Sequence, residues 1–248
     1  MNLEQVLATR KSKTIYHDND TVVKVFDQNY PKSSILNEAL NQSRVEETGL
    51  KIPTIRSVDN IEGHWSICMD YIPGQTLEQK FKDNPDKTLE LLELFVDLQI
   101  EMHSKTAPLL NKLKDKLIRK IQSVSDLDAT TKYELLTRLD SMPKHTKVCH
   151  GDFLPSNIII NDSGAYILDW SHATQGNASA DVATTYLKMS LYYPDLAESY
   201  IKLFCQKSNT ALQYVQQWLP IVAAQQLTTA SESEKECLNR WLDVIDYQ

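Results

Sequence analysis

The chain has 248 residues with 26 basic and 33 acidic side chains, a formal net charge of −7. That balance argues against nucleic acid or an anionic membrane as the main partner, and 42% apolar with 24% charged residues is the composition of an ordinary soluble globular protein. The length suits one large domain or two small lobes with a real core, and the scattered Cys68, Cys149, Cys205 and Cys237, none in a C-x-x-C pair, read as free thiols in a reducing cytoplasm.

The N-terminal "MNLEQVLATRKSK" has no apolar signal core, and no segment approaches the roughly 18 apolar residues of a membrane span, so a cytoplasmic protein is expected. "KTIYHDND" and "TVVKVFD" are β-rich runs around a polar turn and predict a hairpin. After Pro31, the spacing of Ile35, Leu36, Ala39, Leu40 and Val45 predicts one apolar helix face, with Gly49 as its stop. "IPTIRSVDNIEGHWSICMDYI" reads as two further strands around Gly63, giving a β-β-α-β-β order and a small sheet crossed by one helix.

From Thr88 onward the pattern turns helical. "TLELLELFVDLQIEMH" is apolar nearly all round and predicts a buried central helix. Leu109, Leu113, Leu117, Ile121 and Val124 form a stripe, and Lys112, Lys114, Lys116, Arg119 and Lys120 are expected on the solvated face. "NIII" and "AYILDW" flank an "NDSG" turn and predict a second hairpin; the remainder reads as helices broken near Pro194 and Pro220. The expected fold is α+β: a strand-rich lobe over residues 1–73, including the last strand, and a helical lobe over 74–248, with the boundary near Pro73-Gly74.

The chemistry concentrates in "CHGDFLPSNIII" and "AYILDW". Asn157 starts one strand of the tight hairpin and Asp169, twelve residues later, ends the other, so their side-chain oxygens can face one ion. Magnesium suits such a site, with one or two protein oxygens and the rest of its shell from water and phosphates. Asp152 stands apart on the loop as a carboxylate suited to accept a hydroxyl proton. The arrangement is that of phosphoryl transfer, which depends mainly on positioning and charge neutralisation.

"HGDFLPSN" with "ILDW" resembles the aminoglycoside phosphotransferase and choline kinase-like superfamily, relatives of the protein kinases. The four fixed letters of the loop would arise by chance in a chain this long on the order of once in a thousand. The resemblance implies a two-lobed kinase-like fold that transfers the γ-phosphate of ATP or GTP, with Mg2+, to a small-molecule hydroxyl acceptor. It implies that Lys24 reaches the nucleotide phosphates, that Glu38 holds Lys24, and that the backbone at Asp70, Tyr71 and Ile72 meets the adenine. It further implies that Asp181 anchors the catalytic loop, that His150 supports it by a hydrogen bond, and that His103 is structural.

The phosphate-covering segment is the departure. "LATRKSKT" has no glycine, leaving Ser12 and Thr14 or their amides to meet phosphate, with charge from Arg10, Lys11 and Lys13. A nucleotide-binding module without turnover is the rival reading, against which Asp152 stands, since a sensor has no use for a base. The acidic run with Glu232, Glu234, Glu236, Asp243 and Asp246 fits either a solvated helix face or attraction for an amine-bearing acceptor.

Overall fold

The computed structural model describes residues 5–10 and 12–242; Lys11, Asp243 and Asp246 lie outside the described residues. The first half of the chain runs β1 (Gln5–Arg10), β2 (Lys13–Asp18), β3 (Thr21–Phe26), α1 (Lys32–Glu46), β4 (Ile55–Ile61), β5 (His64–Asp70), β6 (Gln75–Thr76), α2 (Leu77–Asp83) and α3 (Thr88–Ser104). Next come α4 (Leu113–Ser123), α5 (Ala129–Ser141), β7 (Lys147–Cys149), β8 (Ile158–Asn161), β9 (Gly164–Ile167) and β10 (Thr174–Gly176). The rest is helical: α6 (Ala178–Tyr192), α7 (Pro194–Ser208), α8 (Leu212–Gln216), α9 (Leu219–Gln226) and α10 (Glu232–Asn239). Among the described residues no helix is long and apolar enough to cross a membrane.

Contacts group these elements into two units, Met1–Pro85 with Pro155–Ala173, and Asp86–Leu154 with Thr174–Gln248. A single cut at Pro73-Gly74 does not describe this grouping. β6 pairs with β8, which pairs with β9, and Lys51 accepts from the Ile167 amide, so the later hairpin packs with the first unit.

In the first unit five strands form an antiparallel sheet in the order β1-β2-β3-β5-β4. Turn chemistry explains the hairpins: Asn19 between β2 and β3, and Glu62-Gly63 between β4 and β5, take the positive φ that tight hairpins require. "LATRKSKT", expected as a loop, is mostly strand. Thr9 pairs with Thr14 and Arg10 with Lys13, so only Lys11 and Ser12 separate β1 from β2.

Helix α1 crosses the sheet over Phe26, Ile67 and Met69, packing Ile35 and Ala39 against them. Its buried face differs from the expected one. Leu36 and Leu40 are 43% and 47% exposed, whereas Glu38, Asn41 and Gln42 are buried. Each of those polar groups has a partner: Glu38 meets Lys24, Asn41 donates to the Ser171 carbonyl, and Gln42 donates to the Pro53 carbonyl. Buried polar groups are tolerated when so satisfied, and the helix turns its polar flank inward to make these bonds.

The second unit centres on α3 and α6. Phe95 of α3 packs its ring on Phe153 and Tyr200, with centroids 4.7 and 5.5 Å away. Gln99, fully buried on the same face of α3, accepts from Tyr200 Oη and donates to Thr185 Oγ1. Leu117, Ile121 and Val124 bury the expected stripe of α4, and Leu109 lies exposed before the helix begins. Pro194 starts α7 and Pro220 sits in the first turn of α9, where a missing N–H costs nothing.

Gly74 carries the tightest backbone approach. Its φ is 143°, and a Cβ there would lie 2.4 Å from the Ile160 carbonyl oxygen. Gly49 also has positive φ, but a Cβ would meet nothing within 4 Å. Gly49→Ala is expected to cost about 1–2 kcal/mol of unfolding free energy, the left-handed backbone penalty alone. Gly74→Ala adds a steric clash and is expected to cost about 2–4 kcal/mol. Urea denaturation of both variants checks the order.

Candidate active site

Two periodicities bring Lys24 and Glu38 together. The alternation of β3 puts Lys24 on the face of Val22 and Phe26, which pack on the α1 cluster, and the helical repeat puts Glu38 beside Ile35 and Ala39. Lys24 Nζ lies 2.8 Å from Glu38 Oε1 and 3.5 Å from Asp169 Oδ1, and both Lys24 and Glu38 are buried. Burial alone would push the ammonium down; the charges of Asp169 and Glu38 and their hydrogen bonds overcome it and hold Lys24 above its ordinary value.

Lys13, opposite Phe26 across the β2–β3 ladder, reaches the same carboxylates. Its Nζ is 3.4 Å from Glu38 Oε1 and 3.7 Å from Asp169 Oδ2. The sequence marks Lys13 only as one of several basic residues near the turn. Ser12 sits in that turn, and its carbonyl accepts from the Asp27 amide at 3.0 Å.

The β8–β9 hairpin sets Asn157 and Asp169. Ile158 pairs with Ile167, and the Asn157 carbonyl accepts from the Leu168 amide at 2.8 Å, so Asn157 and Asp169 stand at the open end of one hairpin. Asp169 has φ 60° and ψ 67°, a left-handed conformation that aspartate tolerates better than bulkier residues. Its side chain is 30% exposed, and its carboxylate stands beside Lys24 and Lys13. The donor set of one carboxylate and one amide oxygen fits magnesium, which takes few protein ligands and completes its shell with phosphate oxygens.

The segment at the end of β5 carries the expected base-binding groups. The Asp70 amide donates to the Thr54 carbonyl, the Tyr71 amide to the Asp20 carbonyl, and the Asp70 carboxylate pairs with Arg56 at 2.6 Å. The tyrosine ring rests against His17, centroids 3.9 Å apart. Among the described residues the Ile72 amide has no such backbone commitment.

In the second unit Asp181 organises the loop that carries Asp152. It lies in the first turn of α6, where the helix dipole favours a carboxylate. It accepts from the Gly151 amide at 2.7 Å, the His150 amide at 3.2 Å and His103 Nε2 at 3.0 Å. Burial would raise its pKa, but these donors and the neighbouring histidines hold it below the ordinary carboxylate value. His150 Nδ1 accepts from the Asp152 amide at 3.1 Å, which places its proton on Nε2. Asp181, His150 and His103 thus all act on the loop's backbone or its anchor.

Lys188 is the residue that sequence reading missed here. It stands seven residues after Asp181, two turns along the same face of α6, and its Nζ lies 2.5 Å from Asp152 Oδ1. The i,i+7 spacing from the anchoring aspartate is the signal that could have found it. Tyr192, one turn further, donates to Glu234, and the Tyr192 hydroxyl is pushed up to about 12 by that hydrogen bond, by burial and by the charges of Glu234 and Asp152. Of the acidic run, Glu234 is therefore tied into this neighbourhood.

Lys116 is half-buried where a solvated face is expected. Burial pushes its ammonium down to about 8, opposed by Asp181 and reinforced by Lys188 and Lys120. Its native pKa lies below the unfolded value near 10.5, so between these values the unfolded state binds more protons and stability rises with pH. The penalty of the half-buried charge is full below about pH 8 and fades towards pH 10.5. Lys116→Met is expected to melt above the parent at pH 7, with the gap narrowing by about pH 10 in a thermal-melt series.

A family model described as the phosphotransferase enzyme family matches residues 6–218 of the chain. Among solved structures, a thermostable mutant of aminoglycoside phosphotransferase APH(4)-Ia in ternary complex with ADP and hygromycin B is similar at TM-score 0.68 and 12% identity, covering 96% of this chain and 91% of that one. Choline kinase LicA from Streptococcus pneumoniae gives TM-score 0.63 at 14% identity over 98% and 93%. A choline/ethanolamine kinase family protein from Mesorhizobium loti gives 0.63 at 15% over 100% and 90%. At these identities the structural likeness is one of fold. No curated protein matches the chain.

Proposed function

The chain belongs to the phosphotransferase enzyme family, and from that premise we propose that it transfers the γ-phosphate of ATP or GTP to a hydroxyl of a small-molecule acceptor. The observation that carries the reading is the buried Lys24–Glu38 pair beside Asp169. Two charges withdrawn from water cost several kcal/mol each, and a well-packed apolar pair of similar size would hold the sheet to the helix as well. Their retention makes sense where a polyanion has to be bound.

Each residue then has a role of its own. Lys24 meets the donor's phosphates, and Glu38 fixes its direction. Asn157 and Asp169 would hold magnesium, which neutralises phosphate charge when bound. The backbone at Asp70–Ile72 faces the base, with Ile72 the open donor. Asp152 accepts the acceptor's hydroxyl proton, and its position is set through Gly151, His150 and Asp181. Lys188 keeps a positive charge beside Asp152, where it balances the carboxylate and restrains its rotamer. Among the fold neighbours are complexes of ADP with hygromycin B and of streptomycin with ATP, which supports a nucleotide donor and a small polar acceptor here.

Asp152→Asn is expected to lower turnover about 10²–10⁴-fold, the usual worth of a general base. The assay is nucleotide consumption across a panel of amino sugars, amino alcohols and sugars with ATP and GTP in parallel. A near-normal rate for the variant on any accepted compound removes Asp152 from the mechanism.

Binding should separate from catalysis. A ligand at about a hundred times its dissociation constant stabilises the native state by roughly 2.7 kcal/mol. Magnesium with ATP is therefore expected to raise the melting temperature of the parent and of Asp152→Asn alike. Asp169→Asn should respond far less, because a neutral amide is a weak magnesium ligand. Equal shifts in all three proteins would take Asp169 out of the metal site.

A further inference from the structure

We infer that Lys13 is a second ligand for the donor's phosphates, taking over work that a glycine-lined turn would otherwise do. The inference rests on the nucleotide-binding part of the reading above and concerns the first unit alone.

Backbone amides can wrap a phosphate only where the chain is free to approach it. This edge has no glycine to ease such an approach. The first glycine in the chain is Gly49, and β1 and β2 are joined by two residues only, with Thr9 paired to Thr14 and Arg10 to Lys13. The Ser12 carbonyl is held by the Asp27 amide, which fixes the turn to the end of β3. A charge delivered by a side chain is another way to meet a triphosphate from this edge.

Lys13 is placed to deliver it. Opposite Phe26 on the β2–β3 ladder, it shares the face that carries Lys24, and its ammonium sits 5.6 Å from the centre of the Phe26 ring. Its side chain is 15% exposed, so it is enclosed but not sealed. The distances separate the two lysines. Lys24 makes a contact of 2.8 Å to Glu38, whereas Lys13 stands 3.4 and 3.5 Å from the two Glu38 oxygens and 3.7 Å from Asp169. Charge-assisted N–H···O bonds close to about 2.7–2.9 Å. Lys24 is thus committed to Glu38, while Lys13 hovers between two carboxylates and closes fully on neither.

Charge balance points the same way. Two lysines face two carboxylates, Glu38 and Asp169, and Asp169 is also the residue assigned to the metal. A carboxylate shared with a divalent cation attracts Lys13 less, leaving the pair of ammoniums in excess over Glu38. Phosphate oxygens restore the balance, and Lys13 has to move only its flexible stem to reach them.

The test is a comparison of ligands that differ in phosphate number. ATP, ADP, AMP and adenosine are titrated by calorimetry, with and without magnesium, into the parent, Lys13→Met and Lys13→Arg. Lys13→Met is expected to weaken ATP and ADP about 10–100-fold, the usual worth of a hydrogen bond to a charged group, while adenosine binds as in the parent. Lys13→Arg should recover most of that loss. A purely structural lysine would lower the melting temperature or weaken all four ligands equally, and either result without a change in the ATP-to-adenosine ratio overturns the inference. ATP binding by the parent that survives in Lys13→Met overturns Lys13 alone; a parent that binds no nucleotide overturns the phosphotransfer reading as well. Thermal melts confirm that each variant is folded, and Lys13→Gln replaces any that is not.

Discussion

The first unit depends on one buried ion pair. Lys24 projects from a strand and Glu38 from the helix laid over it, and each lacks water to solvate its charge. An unpaired member would cost several kcal/mol, so strand β3 and helix α1 are held at a fixed rotation and register by electrostatics as well as by packing. The apolar contacts of Phe26, Ile35, Ala39 and Met69 surround the pair and lower the local dielectric, which strengthens the attraction they enclose. Asn41 extends the same helix face to the Ser171 carbonyl, two residues past Asp169. One polar flank of α1 thereby fixes both the lysine and the segment that follows the candidate metal ligand.

The second unit repeats the strategy with a single carboxylate. Asp181 collects two backbone amides of the loop and one imidazole, all in a buried setting, and the loop takes its shape from that point. Three donors stabilise the charge that burial would otherwise expel, as the direction of its pKa records. A side chain used this way orders a loop that has little regular secondary structure and few ladder bonds of its own. Lys188 extends the control from the backbone of the loop to the carboxylate of Asp152, since both lysine and anchor ride on one rigid helix.

Net charge conceals these arrangements. The chain carries −7 overall, yet its first unit gathers two ammoniums around Glu38 and Asp169, and its second sets Lys116 and Lys188 near Asp152 and Asp181. Composition describes solubility and the field at a distance; binding a phosphate depends on the few charges within reach of it. Under the proposed reading, a β1–β2 edge without glycine shifts the work from backbone dipoles to a full charge on a side chain.

By itself the sequence determined the α+β class, the two hairpins, the helix stop at Gly49, and the loop and hairpin residues Asp152, Asn157 and Asp169, because these are local: turn residues, alternation and fixed motif spacing act over a dozen positions or fewer. Lys24 and Glu38 came from resemblance, and the ladder and helix repeat explain why they meet. Only the tertiary structure decided that α1 buries Glu38, Asn41 and Gln42 in place of Leu36 and Leu40, since the partners of those polar groups lie up to 130 positions away. It also decided that "LATRKSKT" forms strands, that the Asp70 and Tyr71 amides are spent within the sheet, and that Lys13 and Lys188 face carboxylates 25 or more residues distant. For Lys13 no periodicity announces the partner; its role is set by what the folded chain brings within a few ångströms of its ammonium.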